Sequence, residues 1–177
     1  MAIKAIHYII PLHHISNNKS KPKTFKNFQI LFHSDHRKMS PITPEIRASA
    51  EILTGHDICK EKTKSLLREY DLPDGLLPAE DIEELGYVKD TGFLWVKQKK
   101  DIIHKFEKVG KQVSYATEVT GYLQKCKIKK LTGVKSKEVL IWISLIEIYV
   151  DDPSSDKITM KTPAGISKSF PKAAFEA

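Results

Sequence analysis

Cysteine is scarce in this chain: there are two, Cys59 and Cys126, among 177 residues. Neither belongs to a CxxC pair or a Cys/His cluster, which excludes a disulfide scaffold or a thiolate zinc site as the organising feature. Free buried thiols in a reducing compartment are expected instead. Glycine is scarce too, with eight residues. None of them builds a GxxxxGK[ST] phosphate loop, and no GxSxG nucleophile elbow occurs, so two common catalytic frameworks are missing. Long apolar runs are also lacking. The longest is Val139–Ile146, extending to Val150 with Glu147 included, against about 20 residues for a bilayer-spanning helix. No transmembrane segment is expected. Near the start, Ile3–Leu12 is interrupted by Lys4, His7 and Pro11. No small-x-small cleavage site follows, so it does not read as a secretory signal.

What is present is lysine, unevenly placed. Lys97–Lys137 carries 12 Lys, no Arg and three acids (Asp101, Glu107, Glu118), a local net charge of +9. Met39–Val96 is net −6 and the tail from Glu138 is net −2. The first 38 residues hold +6 of the formal +7, so the basic character of the whole chain mostly describes that leader. It also holds five of the seven histidines, irregularly spaced and without recurring carboxylates, and the tract SNNKSKPK. Residues 1–38 are expected to be a disordered or atypical extension, with Met39 as a plausible usual start. Residues 39–177 are expected to form a single globular domain.

Within that domain, residues 43–70 read as helix, in one or two pieces. Thr43 can cap, Pro44 suits the first turn, Gly55 can end a first helix and Asp57 can cap a second. LPDGLLP at Leu72–Pro78 is turn chemistry, and short strands follow. Asp90-Thr91-Gly92 reads as a tight turn between Leu85–Val88 and Phe93–Lys97. In the extended run from Val113, the odd positions to Leu123 share one face and the even positions the other. Val139–Val150 reads as a strand buried on both faces over most of its length, closed by Asp151-Asp152-Pro153. Ile158–Met160 and Ile166–Phe170 flank Pro163-Ala164-Gly165 as a final hairpin. Strands at this spacing, with no helices between them, imply a mainly β (α+β) fold: an antiparallel curled sheet or partly open β-barrel preceded by one or two N-terminal α-helices.

The stretches LPDGLLP (Leu72–Pro78), GYVKDTGFLWVKQKK (Gly86–Lys100), HKFEKVGKQVSYATEVTGY (His104–Tyr122), KIKKLTGVKSKEVLIW (Lys127–Trp142), IYVDDP (Ile148–Pro153) and TPAGISKSFP (Thr162–Pro171) together carry a resemblance. From Met39 to Glu176 the chain resembles the plant family catalogued as domain of unknown function 538. The resemblance implies a small curved β-sheet domain with an N-terminal helix. It implies no established catalytic motif. The family has been likened to lipid-binding proteins of the bactericidal permeability-increasing type, and an esterase role has also been proposed for it.

The residues themselves offer little chemistry. A Ser-His-acid triad would have to use His104 or His56, with Ser114, Ser144, Ser167 or Ser169 as nucleophile, and none stands in a telling context. Asp151-Asp152 and the acidic edge Glu80–Glu84 fit a turn and a solvated face better than a cation site. No metal or cofactor is expected. The lysines suit a diffuse anionic surface rather than base-specific readout, which favours Arg or Asn, so no sequence-specific nucleic acid is expected. The leading expectation is a non-enzymatic, cytoplasmic, membrane-associating module that binds an anionic lipid or amphipathic small molecule. Lys97, Lys99, Lys100, Lys105, Lys127 and Lys129 would supply the charge and Trp95 an apolar contact. Phe93, Trp95, Tyr115 and Trp142 could line a cavity, although packed core is the commoner use of such residues. The alternatives are an ester hydrolase using His104, and a protein-interaction domain whose acidic helical end and basic sheet engage different partners.

Overall fold

The computed structural model describes residues 41–177. The extension expected over residues 1–38, with its histidines, lies outside the described residues. Thr43 caps helix α1 (Pro44–Ala48): its hydroxyl accepts the Ile46 N–H at 3.3 Å, and Pro44 opens the first turn. The helix then stops. Glu51–Thr54 is strand β1, and helix resumes as α2, His56–Glu69, behind Gly55 at φ +94°. Helix throughout residues 43–70 is therefore corrected at β1, and Gly55 rather than Asp57 is the N-cap of α2. The cause is tertiary. β1 pairs antiparallel with β2 (Ile82–Val88), from Glu51↔Tyr87 to Thr54↔Glu84. A four-residue segment gains more from a sheet edge than from one extra helical turn.

The remaining strands are β3 (Phe93–Gln98), β4 (Ile102–Phe106), β5 (Lys111–Gln124), β6 (Lys127–Glu138), β7 (Ile141–Ser144), β8 (Glu147–Tyr149), β9 (Lys157–Lys161) and β10 (Ser167–Pro171). They form one antiparallel sheet in the order β1-β2-β3-β5-β6-β8-β9-β10. The two longest strands each serve two neighbours. β5 pairs with β3 over residues 118–122 and with β4 over residues 111–115. β6 pairs with β8 over residues 127–129 and with β7 over residues 135–138. The turns expected at Asp90–Gly92 and Pro163–Gly165 join β2 to β3 and β9 to β10.

The curled antiparallel sheet expected from the sequence is present, but it does not close. β1 and β10 remain its two ends, so the barrel reading is corrected to an open sheet. Curl comes from β6. Its buried apolar residues Ile128, Leu131 and Val134 recur at every third position, not every second. Lys130 (φ +49°) and Gly133 (φ +77°) are the extra residues. Each breaks the alternation and bends the strand, and the pairing with β5 shifts register over the same stretch.

The inner face of the curl packs against α2. Cys59, Leu66 and Leu67 from the helix meet Leu85 and Val96 from the sheet within one continuous core. Both cysteines are buried and free, as expected. Phe175, near the C-terminus, is fully buried with its ring 4.6 Å from that of Phe106. The outer face carries a smaller cluster, Val88, Phe93 and Trp95, covered by Ile42, Ile46 and Ala50 around α1.

The strand expected to be buried over Val139–Val150 is corrected. It divides into an exposed turn at Val139-Leu140, the partly exposed β7, and β8, in which Ile148 is buried. Leu145, Ile148 and Val150 reach the core; Val139, Leu140 and Ile141 face solvent. A run of apolar residues is compatible with either outcome, and only the strands available to cover it decide between them.

Candidate functional site

The lysines singled out by the sequence lie along the outer face rather than in one cluster. Lys105, Lys97 and Lys129 stand opposite Gln112, Glu118 and Tyr122 of β5. All three partners are even-numbered, so these lysines share one face, but they are strung over about 33 Å at ~3.3 Å per residue. Lys127, two positions from Lys129, joins them. Several are already matched by carboxylates. Lys97 Nζ lies 3.9 Å from Glu84 and 3.7 Å from Glu118, Lys105 lies 2.6 Å from Glu107, and Lys127 lies 3.1 Å from Glu147. Lys99 and Lys100 are exposed in the β3–β4 connection, and Lys129 is exposed on β6.

Trp95 is 0% exposed. Its indole N–H donates to Glu84 Oε1 at 2.8 Å, and its ring sits beneath the Arg47 guanidinium. It packs under α1 and presents no face to a ligand. Phe93 and Tyr115 are likewise core residues, whereas Trp142 lies at the surface. Glu84 is the polar hub of this side: Arg47 donates to both its oxygens at 2.7 Å. Those hydrogen bonds outweigh burial and, with the indole and Lys97, lower its carboxyl pKa to about 2.

His104 is half-buried, with its ring edge-on to Phe106 at 4.6 Å. His56 Nδ1 accepts the Ile82 N–H at 3.3 Å, a structural contact.

A different site appears near the β10 end of the sheet. Between the β6–β7 hairpin and the β9–β10 hairpin opens an apolar pocket of about 300 Å³. Its buried lining is Ser136, Leu145 and Met160; Ile143 and Phe170 form half-buried walls; Val139 and Ile166 are exposed at the mouth. The charged members are Glu138 and Lys168. Glu138 accepts hydrogen bonds from Lys111 and Lys168. Burial works against its charge, yet the two lysines prevail and hold its carboxyl below the ordinary range. Lys111 Nζ also lies 5.7 Å from the Phe170 ring centroid. A carboxylate held so firmly in its charged form is a weak general base, and the Ser136 hydroxyl beside it, 3.5 Å from Oε1, has no other activating group.

Sequence reasoning missed the pocket. Its residues come from β6, β7, β9, β10 and the turns between them, and no local pattern joins them. One signal was available: Glu138-Val139-Leu140-Ile141 makes a hairpin turn with no Gly, Asn or Asp in its loop, which a turn chosen for folding alone would carry.

The model of the family described as "protein of unknown function, DUF538" matches residues 63–176. The chain belongs to the domain of unknown function 538 family. The domain of unknown function 538 match begins inside α2 and ends one residue before the C-terminus, so it takes in every pocket residue and every lysine from Lys97 onward. An uncharacterized protein of Arabidopsis thaliana is 34% identical over 115 residues, which cover 63% of this chain and 61% of that protein's length. No solved structure matches the chain. No helix among the described residues is long and apolar enough to cross a membrane.

Proposed function

We propose that this domain is a non-enzymatic binding module for an anionic amphipathic molecule. The apolar part of the ligand occupies the pocket between the two hairpins, and its acidic head meets Lys168 of the lining. The observation that supports this most directly is the pocket itself: an open apolar space of about 300 Å³ whose charged members are a lysine and a carboxylate already balanced by lysines. That volume is at the lower end of small-molecule sites, which run from about 300 to 1,000 Å³. Lys97, Lys99, Lys100, Lys105, Lys127 and Lys129 do not line this pocket and contribute to the long-range field that draws an anion in rather than to contacts.

Titration of the protein with dodecanoate, followed by calorimetry, tests this reading. Saturable binding is expected. Ile143→Trp, which fills the pocket, should weaken it at least tenfold, about 1.4 kcal/mol. Lys168→Glu should weaken dodecanoate by a similar factor and leave dodecanol unchanged. Absence of saturable binding to the folded wild-type protein, or equal binding by Ile143→Trp, rejects the pocket as the site.

A further inference from the structure

Four consecutive apolar residues, Val139, Leu140, Ile141 and Trp142, are 91%, 87%, 61% and 37% exposed. They form the turn and the first half of β7, and the loop that joins β6 to β7 has two residues. Val139 holds φ +52°. A two-residue hairpin loop favours Asn-Gly or Gly where φ is positive, and a β-branched residue there is strained. The exposed side chain makes up for none of that strain by burial. Folding therefore does not account for Val-Leu at this turn. Ile166, also exposed, stands at the mouth of the same pocket as Val139, so the two hairpins present apolar side chains at one end of the sheet. Single exposed apolar residues are ordinary on a protein surface; a contiguous group is not.

Lysines outnumber carboxylates around this tip, where Lys111, Lys135, Lys137 and Lys168 stand against Glu138. Lys137 is the cross-strand partner of Trp142, with its Nζ 5.8 Å from the ring centroid. Lys135 is two residues along the same face, opposite Ser144 on one side and Ser114 on the other. Exposed Ile103 of β4 pairs with Ser114 and so continues that row. Among the described residues neither Lys135 nor Lys137 has an ion pair, and the nearby carboxylate, Glu138, is taken by Lys111 and Lys168.

We propose that this end of the domain docks on an anionic bilayer surface. Val139, Leu140, Ile141 and Ile166 enter the boundary between head groups and acyl chains, Trp142 lies at head-group level, and Lys135, Lys137 and Lys168 meet the lipid anions. Aromatic rings with an apolar body and a polar edge favour that level, and lysines keep their charge in water while their stems lie along apolar surface. Lysine, a flexible point charge, suits a fluid array of anions better than the fixed geometry of a protein partner, where arginine is the favoured cation. The proposal goes beyond the pocket reading and does not need the pocket to be filled; a docked molecule would simply turn the pocket mouth toward the lipid.

Tryptophan emission provides the readout, because Trp95 is already fully buried and Trp142 is the other of the chain's two tryptophans. Phosphatidylcholine vesicles containing phosphatidylserine should shift Trp142 emission to the blue and carry the protein in flotation; phosphatidylcholine alone should do neither. Val139→Asn combined with Leu140→Gly should lower the partition coefficient at least tenfold while leaving Tm unchanged or higher, since Asn-Gly suits the turn. Lys135→Glu combined with Lys137→Glu should give a comparable loss. Ile143→Trp, read by flotation, should float like the wild type, which separates this proposal from the pocket reading. The proposal is overturned if wild-type protein does not float with phosphatidylserine vesicles, or if the turn variant floats within twofold of wild type. It is equally overturned if sedimentation reveals a dimer that the turn variant dissociates while neither protein binds vesicles, for then a second copy covers the tip.

Discussion

Replacing Gly86 by alanine is expected to destabilise the domain by about 3 kcal/mol or more, at the upper end of what overpacking costs. Gly86 and Trp95 are cross-strand partners on β2 and β3, and the indole lies flat across the glycine. A Cβ at residue 86 would stand 2.0 Å from Trp95 Cζ2 and 2.1 Å from Cε2. The indole has nowhere to go. Its N–H is held by Glu84, Phe93 lies beside it with centroids 5.8 Å apart, and the residues around α1 close over it. Against a total stability of about 5–15 kcal/mol for an ordinary domain, this loss is large. Urea unfolding measures it, and the Trp95→Leu background identifies the cause. In that background Gly86→Ala should cost less than about 1 kcal/mol, since the clashing ring is gone. An equal cost in both backgrounds would locate the damage elsewhere.

Glu84→Gln is expected to cost about 2 kcal/mol at neutral pH and close to nothing in strong acid. The magnitude follows from a folded-state pKa of about 2 against an ordinary 4.5, reduced because the Arg47 side chain is 39% exposed and solvent screens it. The sign follows from linkage. A carboxyl whose pKa is depressed by folding contributes stability that is fully present above its unfolded pKa, near 4.5, and is lost as pH falls toward about 2. Wild type and variant should therefore differ most at pH values above 4.5 and converge as pH approaches 2. The wild type will retain some acid sensitivity from Asp74, whose carboxyl is held low first by the Ala177 N–H and then by Arg68. Urea midpoints of both proteins across this range decide the matter; a gap that stays constant with pH would mean that the charge on Glu84 is not what stabilises α1 against the sheet.

Glu84 also shows how lysines of the outer face are matched by carboxylates from elsewhere in the chain. Glu84 lies in the acidic segment of the chain, and Lys97 in the basic one, yet β2–β3 pairing sets them opposite each other. Glu147 does the same for Lys127 and Lys161. There burial opposes the charge, and the lysines still hold the carboxyl below its ordinary range. A net charge counted along the chain is thus partly cancelled across the sheet, and Lys135 and Lys137 near the β6–β7 tip are among the lysines that no carboxylate matches among the described residues.

Much was fixed by short-range rules. Thr43-Pro44 began α1, Asp90-Thr91-Gly92 and Pro163-Ala164-Gly165 made their turns, and the odd-numbered Val113, Tyr115, Val119 and Leu123 marked the buried face of β5, although Thr117 is exposed. Each depends on backbone geometry or on a period of two residues, and both are written within a few positions. Only the assembled fold decided that Glu51–Thr54 would be a strand, because the edge of β2 lay within reach, and that Val139–Ile141 would face solvent while Leu145, Ile148 and Val150 were covered. The pocket belongs to the same class, since it lies between two hairpins that are separate in the chain. Burial and charge pairing depend on neighbours that the chain order does not name, whereas caps, turns and strand periodicity carry their neighbours with them.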